Sequence, residues 1–350
     1  MTHWRPRAAY RLVLILTIAL LVPALAGAAP ARPPSPFFTE RAVTFVNGTV
    51  ELKGTLLVPT SPGPHPVVVF LHGSGPHPRT GAKPYAEEFA KLGVAGLVFD
   101  KRGSGESGGS WTESSLDDLA GDALAAVAFV KSQPNVDGSK IGFWGVSQAG
   151  WVTPLAASRS ADVGFMILIS GGGASPRDSE QFSYENAFKE AGLSASETAE
   201  ADSVMDAYFR YLATGEGRAG LASRLESAKS SRWYPAMPLD RILPSEGNRS
   251  NWSWVATWDP AASLERIKCP VLLMFGDRDT SHPTPLSVTK WKEGLKKAGN
   301  NDATVMVFPG AGHGIRMREG YSGSGRAPFA NGYAEAMVGW LMLHVVARAN

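Results

Sequence analysis

Taken as a pattern of apolar and polar positions, the chain alternates short unbroken apolar runs with stretches of helical period. The runs are "VVVFL" at 67–71, "VAGLVF" at 94–99, "IGFWG" at 141–145, "VGFMILI" at 163–169, "VLLMF" at 271–275 and "TVMVF" at 304–308. A strand without polar alternation is one whose two faces are both covered. Between the runs, Leu116, Leu119, Ala123, Val127 and Val130 share one helical face, and residues 287–299 and 332–347 carry similar stripes. Strand alternating with helix predicts the α/β class, a mostly parallel sheet with helices on both faces. Near the front, "VTFVNGTVEL" sets Asn47-Gly48 between two β-like runs. That is a strong hairpin signal, so antiparallel strands are expected at one edge of the sheet.

One block breaks the alternation. Residues 175–260 contain no apolar strand run. Ser194 and Glu197 have capping-box spacing, and Val204, Tyr208, Tyr211 and Leu212 then fall on one face. The block is too long for an ordinary loop. It reads as a helical cap insertion between two parts of a core, 41–174 and 261–350. Its Trp233, Trp252, Trp254 and Trp258 suit either an aromatic lid over a pocket or packing onto the main domain. Residues 27–40, rich in Pro and Ala, read as a flexible lead-in, and no internal repeat is visible.

Residues 1–26 have the make-up of an export signal peptide. Arg5, Arg7 and Arg11 precede the apolar run Leu12–Val22, followed by Pro23 and "ALAGAA". The run is shorter than the roughly 20 residues of a spanning helix. Cleavage is expected after Ala26, with Ala28 as the second choice, and the alternative is an uncleaved anchor. The expected location is secreted or periplasmic, without stable membrane association after cleavage. Of 350 residues, 44% are hydrophobic and 19% charged, which excludes a disordered chain. The formal charge is +2, and loss of three arginines with the signal leaves −1. Neither value favours nucleic acid or a charged polymer as partner. Cys269 is the single cysteine, so neither an intrachain disulfide nor a cysteine metal site is available. Before Pro270 and an apolar run, it is expected to be a buried structural thiol.

The candidate chemistry sits at the ends of the apolar runs. "KIGFWG" leads into Val146-Ser147, with a helix expected from Gln148 and small neighbours at Gly145 and Ala149. A serine on so sharp a strand-to-helix turn has its hydroxyl pushed out above the sheet. Serine is a weak nucleophile alone and needs a base, itself oriented by an acid. "VLLMFGDRDTSHP" ends a strand in a loop with two candidate acids, Asp277 and Asp279, and "TVMVFPGAGHG" ends the next in a loop with His313. Both loops follow strand C-terminal ends, where open α/β sheets bind ligands. A turn at His72-Gly73-Ser74-Gly75 is suited to aim a backbone N–H at an oxyanion, and Gln148 N–H at a helix start supplies a second donor. "GSGESG" at 103–108 matches a dinucleotide fingerprint, but Gly109-Ser110-Trp111 intervene before any helix. It reads instead as a flexible loop near the site, with Asp100 and Arg102 in ion pairs. His282 is expected at a pocket rim or exposed, and His72 as an anchor of its own turn.

Taken in order, "LKGTLLVP", "PVVVFLHGSGP", "FDKRGSGES", "GVSQAG", "GDRDTSHP" and "GAGHG" resemble the α/β-hydrolase superfamily, in its bacterial esterase and prolyl-oligopeptidase-like branch. The likeness covers residues 41–170 and 262–347. It implies Ser147 as nucleophile, His313 as general base and Asp279, rather than Asp277, as the acid. It also implies an oxyanion hole from the N–H groups of Ser74 and Gln148, a small-molecule acyl substrate, and no metal or organic cofactor. The departure is Ala149, where oligopeptidase relatives carry glycine. The expected activity is carboxylic ester hydrolysis. Alternatives are thioester, lactone or short-peptide cleavage, and, outside enzymes, an inactive binding module on the same fold. The ~40 residues ahead of the core are too few for the propeller that oligopeptidases carry. The sequence holds no signal for an oligomeric state.

Overall fold

The computed structural model describes residues 35–318, 322 and 324–347. The export signal expected over 1–26 lies outside them. Strands β1 (Phe38–Asn47) and β2 (Val50–Pro59) form the N-terminal hairpin. Then β3 (His65–Phe70), α1 (Lys83–Lys91), β4 (Ala95–Phe99), α2 (Leu116–Lys131), β5 (Val136–Val146), α3 (Ala149–Ala157) and β6 (Val163–Ile169) alternate. Helices α4 (Pro176–Glu190), α5 (Ala195–Thr214) and α6 (Arg218–Ser227) follow, with the short α7 (Arg249–Trp252), α8 (Trp254–Thr257) and α9 (Ala261–Leu264). The chain closes with β7 (Val271–Gly276), α10 (Thr284–Ala298), β8 (Ala303–Phe308) and α11 (Tyr333–Leu341).

The eight strands form one sheet in the order β1-β2-β4-β3-β5-β6-β7-β8. From β4 to β8 neighbours run parallel, and β1 and β2 add the antiparallel edge. The class predicted from the apolar runs is the observed one. Chain order sets a reversal point: β3 leads through α1 to β4 on one side, and β4 leads through α2 to β5 on the other. The crevice outside the C-terminal ends of β3 and β5 is where such sheets hold ligands. One strand departs from expectation. The last run, "TVMVF", is the sheet edge, and Val307 is exposed.

The hairpin turn is displaced by one residue from the expected Asn47-Gly48 centre. Asn47 pairs with Val50, so Gly48 and Thr49 make the turn. Only Gly48 has positive φ, +59°, which is the pattern of a turn with glycine at its first central position. Asn47 instead turns its side chain to α2, donating to Asp122 Oδ1 at 2.9 Å. β1 begins at Phe38, inside the stretch 27–40.

Helices α2, α3 and α10 cover one sheet face, where Leu119, Val127, Phe143, Leu155 and Trp291 share a core. Helices α1 and α11 cover the other, around Phe70, Phe89, Trp144 and Trp340. The helices between β6 and β7 hold a third core of Val204, Tyr208, Tyr211, Leu212 and Trp233. Ser194 and Glu197 make the capping box at the start of α5. Cys269 is half-buried rather than fully buried, with its thiol packed against the first core and pushed up to about 12 by burial. Among the described residues no helix is long and apolar enough to cross a membrane.

Candidate active site

The site is built from four turns at the C-terminal end of the sheet. The first follows β5. Ser147 has φ +57°, the left-handed region, while Gln148 is already helical at φ −50° and ψ −31°. A non-glycine residue in that region stores roughly 1–3 kcal/mol of strain, which the surroundings must impose. They do so by backbone proximity. A Cβ added to Gly150 would lie 2.2 Å from the Gly171 carbonyl carbon and the Gly172 nitrogen. One on Gly145 would lie 2.5 Å from the Ala149 Cβ. The position that must be glycine after the serine is therefore Gly150. Ala149 is fully buried and uses the space that Gly145 leaves open. The departure from the oligopeptidase pattern is a methyl for which the turn has room.

The second and third turns follow β7 and β8. His313 Nδ1 lies 2.9 Å from Asp279 Oδ2. The ionised carboxylate only accepts, so Nδ1–H donates and Nε2 is left as the basic nitrogen. The other oxygen of Asp279 accepts from the backbone N–H of Ser281 at 2.8 Å and His282 at 3.0 Å. Burial alone would raise this carboxyl, but the His313 hydrogen bond and the two nearby rings hold it below its ordinary value. Asp277 plays another part. Its Oδ1 accepts from Gly310 N at 2.7 Å and ties the two loops together. The structure thus pairs His313 with Asp279 and not with Asp277.

The fourth turn follows β3. Were Gly73 to carry a Cβ, that atom would be 3.6 Å from the Ser147 Cβ, so the oxyanion turn and the elbow are in contact. Among the described residues, neither the Ser74 N–H nor the Gln148 N–H has a hydrogen-bond partner, and Gln148 is buried. Unpaired buried N–H groups are rare in folded proteins. Ser147 Oγ likewise has no partner among the described residues, so no serine–histidine hydrogen bond is formed; Val146, the residue before the serine, lines one cavity together with His313. Such bonds are commonly loose before substrate binds. His72 anchors its turn through Nε2, 2.7 Å from Phe99 O. Beside these groups opens a cavity of about 700 Å³ lined by Gly73, His313, Tyr85, Phe329 and, at its rim, Arg316 and Arg326. That size suits a small organic ligand.

Residues 68–319 match the model of the alpha/beta hydrolase family. The chain belongs to the alpha/beta hydrolase family. Esterase EstD of Thermotoga maritima is 27% identical over 296 residues, covering 81% of this chain and 62% of its own length. The chain thus spans less than two thirds of that relative. Thiohydrolase aneE of Aspergillus aculeatus is 35% identical over 133 residues, 38% of this chain and 41% of its own. Among solved structures, the esterase Pf2001 of Pyrococcus furiosus aligns with a TM-score of 0.56 at 17% identity over 88% of this chain and 91% of that one. This last likeness is one of fold.

Around the candidate site lie residues that sequence reasoning misjudged or missed. His282 is buried, against the expectation of a rim position. Its ring stacks on His313 with centroids 5.3 Å apart, and its Nδ1 meets Ser179 Oγ of α4 at 3.0 Å. Burial and the neighbouring His313 pull it down to about 4, so it is neutral near pH 7. Ser170, at the end of β6, has φ +49°, and its Oγ accepts from Gly314 N at 3.0 Å, next to His313. Ile315 has φ +59°, a costly state for a β-branched residue. Strain therefore gathers on both sides of the site. The "GSGESG" loop is tied to its surroundings by hydrogen bonds. Asp100 accepts from Arg79 N and Glu106 N, while Arg102 makes a two-pronged ion pair with Asp122. The tryptophans fall into two groups. Trp233 fills the core of the inserted helices and Trp258 packs on the main core. Trp252 and Trp254 join Trp111 and Trp151 in a run of ring contacts that reaches His282. Lys101 was missed altogether. Its only sequence signal was a lysine directly beyond a buried strand.

Proposed function

We propose that this hydrolase is an exported serine esterase that cleaves carboxylic esters through an acyl-enzyme on Ser147. The observation that carries the reading is one constellation: a strained serine, the 2.9 Å His313–Asp279 bond, and two unpaired N–H groups at Ser74 and Gln148. In the reaction, Ser147 Oγ attacks the ester carbon and His313 Nε2 takes the hydroxyl proton. Asp279 holds the ring and stabilises its cation. The carbonyl oxygen, now negative, accepts from the N–H groups of Ser74 and Gln148. Collapse breaks the bond to the alkoxy group, which leaves as alcohol with the proton from His313. Water, deprotonated by His313, then attacks the acyl-enzyme, and the acid departs from a restored Ser147. Each bond and proton is accounted for by the chain's residues and water.

A relative named as an esterase supports the ester reading, and relatives named as thiohydrolases favour thioesters as the second. The test is to treat the protein with a fluorophosphonate, map the adduct, and compare nitrophenyl acyl esters with acyl thioesters and aminoacyl anilides. The expected result is labelling at Ser147 and highest kcat/KM on esters. Labelling elsewhere, or full activity in Ser147→Ala, would sink the assignment. A silent panel together with no labelling would favour the inactive binding module. Export rests on residues 1–26. The protein recovered from periplasm or medium should begin at Gly27, and an intact Met1 on a membrane-bound form would replace export by anchoring.

A further inference from the structure

Lys101 is 3% exposed, an unusual state for a lysine. It lies in the turn after β4, and its backbone N–H donates to His77 O at 3.0 Å. The ammonium donates to Gly73 O at 2.7 Å and to Gln148 Oε1 at 2.7 Å. Those two residues are the two sides of the expected oxyanion hole. Gly73 C=O and Ser74 N–H belong to one planar peptide unit, and in a trans peptide they point in opposite directions. A cation held on the Gly73 oxygen therefore sits behind the Ser74 N–H. It fixes the plane of that peptide and draws electron density away from the N–H. The same cation grips the side chain of Gln148, whose own N–H is the second unpaired donor. One buried charge thus ties together two turns that lie far apart along the chain.

We propose that Lys101 is the positioning residue of the oxyanion hole, orienting the Ser74 peptide and Gln148 and polarising the donor that faces the developing negative charge. The proposal rests on the Ser147 reading above and deepens it.

The surroundings bear on how the charge behaves. Burial lowers the ammonium to about 7, against the attraction of Asp122 on α2. Asp122 is already engaged by Arg102, so it offsets the burial only in part. Trp111 presents its ring 5.8 Å from Nζ, and His72 and His77 are lowered first by their own burial and further by the charge of Lys101. A neutral amine keeps two donors, so the hydrogen bonds to Gly73 and Gln148 survive deprotonation while the polarisation does not. The charged form is present below about pH 7 and lost above it. An alkaline fall in kcat is the expected consequence.

The experiment uses the full-length protein and compares wild type, Ser147→Ala, Lys101→Met and Lys101→Gln on one nitrophenyl ester, with circular dichroism as the folding control. Removing an oxyanion donor outright costs about 10²–10³ in rate, so loss of its support in Lys101→Met should lower kcat ~10–100-fold. KM should stay within ~2-fold, because the interaction strengthens only in the transition state. Affinity for a trifluoromethyl ketone, which forms a tetrahedral oxyanion on the serine, should fall in parallel. The alkaline limb of kcat should be absent from Lys101→Met. Lys101→Gln retains amide N–H donors without charge and should fall between wild type and Lys101→Met; it also carries the test if Lys101→Met does not fold. A kcat within ~2-fold of wild type in the folded variant, or a loss confined to KM, overturns the proposal. Activity surviving in Ser147→Ala would instead overturn the reading beneath it, and the two failures are distinct.

Discussion

The nucleophile elbow and the acid–base loops face each other across the site, yet they are held by opposite means. The elbow is fixed by the absence of side chains. Gly150 lets the Gly171–Gly172 backbone and Gly145 lets the Ala149 methyl approach closer than any Cβ would allow, on either side of Ser147 with its φ of +57°. The loops after β7 and β8 are fixed by hydrogen bonds to side-chain oxygens, two carboxylates and a hydroxyl. Asp279 accepts from three donors, Asp277 locks Gly310, and Ser170 Oγ holds Gly314 from a third strand. Steric constraint tolerates no added atom but needs no specific partner. Hydrogen-bonded constraint tolerates shape changes but fails when one acceptor is lost. The comparison teaches which substitutions each half of the site will accept.

The largest expected effect lies on the hydrogen-bonded side. Asp279→Asn should lower kcat by ~10⁴ while the fold is retained, because the amide favours the wrong tautomer of His313. Asp277→Asn should leave kcat within a few-fold. Steady-state kinetics with a melting curve check both, and the reverse order would reassign the acid. On the steric side, Gly150→Ala forces a methyl into the Gly171–Gly172 backbone. Overpacking of this kind costs typically about 1–3 kcal/mol, so in a chain of this size the melting temperature should fall by ~2–5 °C. Calorimetry would read it, and an unchanged Tm would mean the turn yields more than its contacts imply.

Ala149 separates the two kinds of constraint more finely. Ala149→Leu should lower activity well below that of wild type by prising α3 from β5. Ala149→Gly should keep activity within ~2-fold at a cost of up to ~1 kcal/mol in helix propensity. Equal activity in all three forms would show that the elbow is not close-packed at that point. The smallest effect is expected from Ser170→Ala. It deletes one hydrogen bond of about 1 kcal/mol beside His313, so kcat should fall ~5-fold with little change in KM.

Much of the fold was legible in the chain because it depends on local pattern. Six apolar runs became β3 to β8, the stripe Leu116–Val130 became the buried face of α2, and Ser194 with Glu197 capped α5. The hairpin was legible in kind but slipped by one residue. Asn47 has a tertiary partner, Asp122, that outweighs the turn preference of an Asn-Gly pair. The exposed edge strand β8 could not be told from a covered one, since an apolar run records composition and not neighbours. At the site, the small residues around Ser147 and the Gly-rich turns around His72 and His313 marked positions where backbone must bend sharply. Ser170, His282 and Lys101 carried no such mark. Each acts through contacts with residues far away along the chain, and nothing in their immediate sequence requires them.

The sequence by itself determined the α/β alternation, the order Ser147, Asp279, His313 along the chain, and the need for a tight turn at 145–150. These follow from periodicity and from backbone sterics, which act between near neighbours. The tertiary structure alone decided that Asp277 ties the two loops through Gly310 while Asp279, which the family likeness had favoured, meets His313; that Gly150 rather than Ala149 is the sterically closed position; and that a buried ammonium lies behind the Ser74 peptide. The reason is physical. Hydrogen bonds and close contacts between strand ends depend on how the sheet brings distant turns together, and that arrangement is a property of the packed sheet.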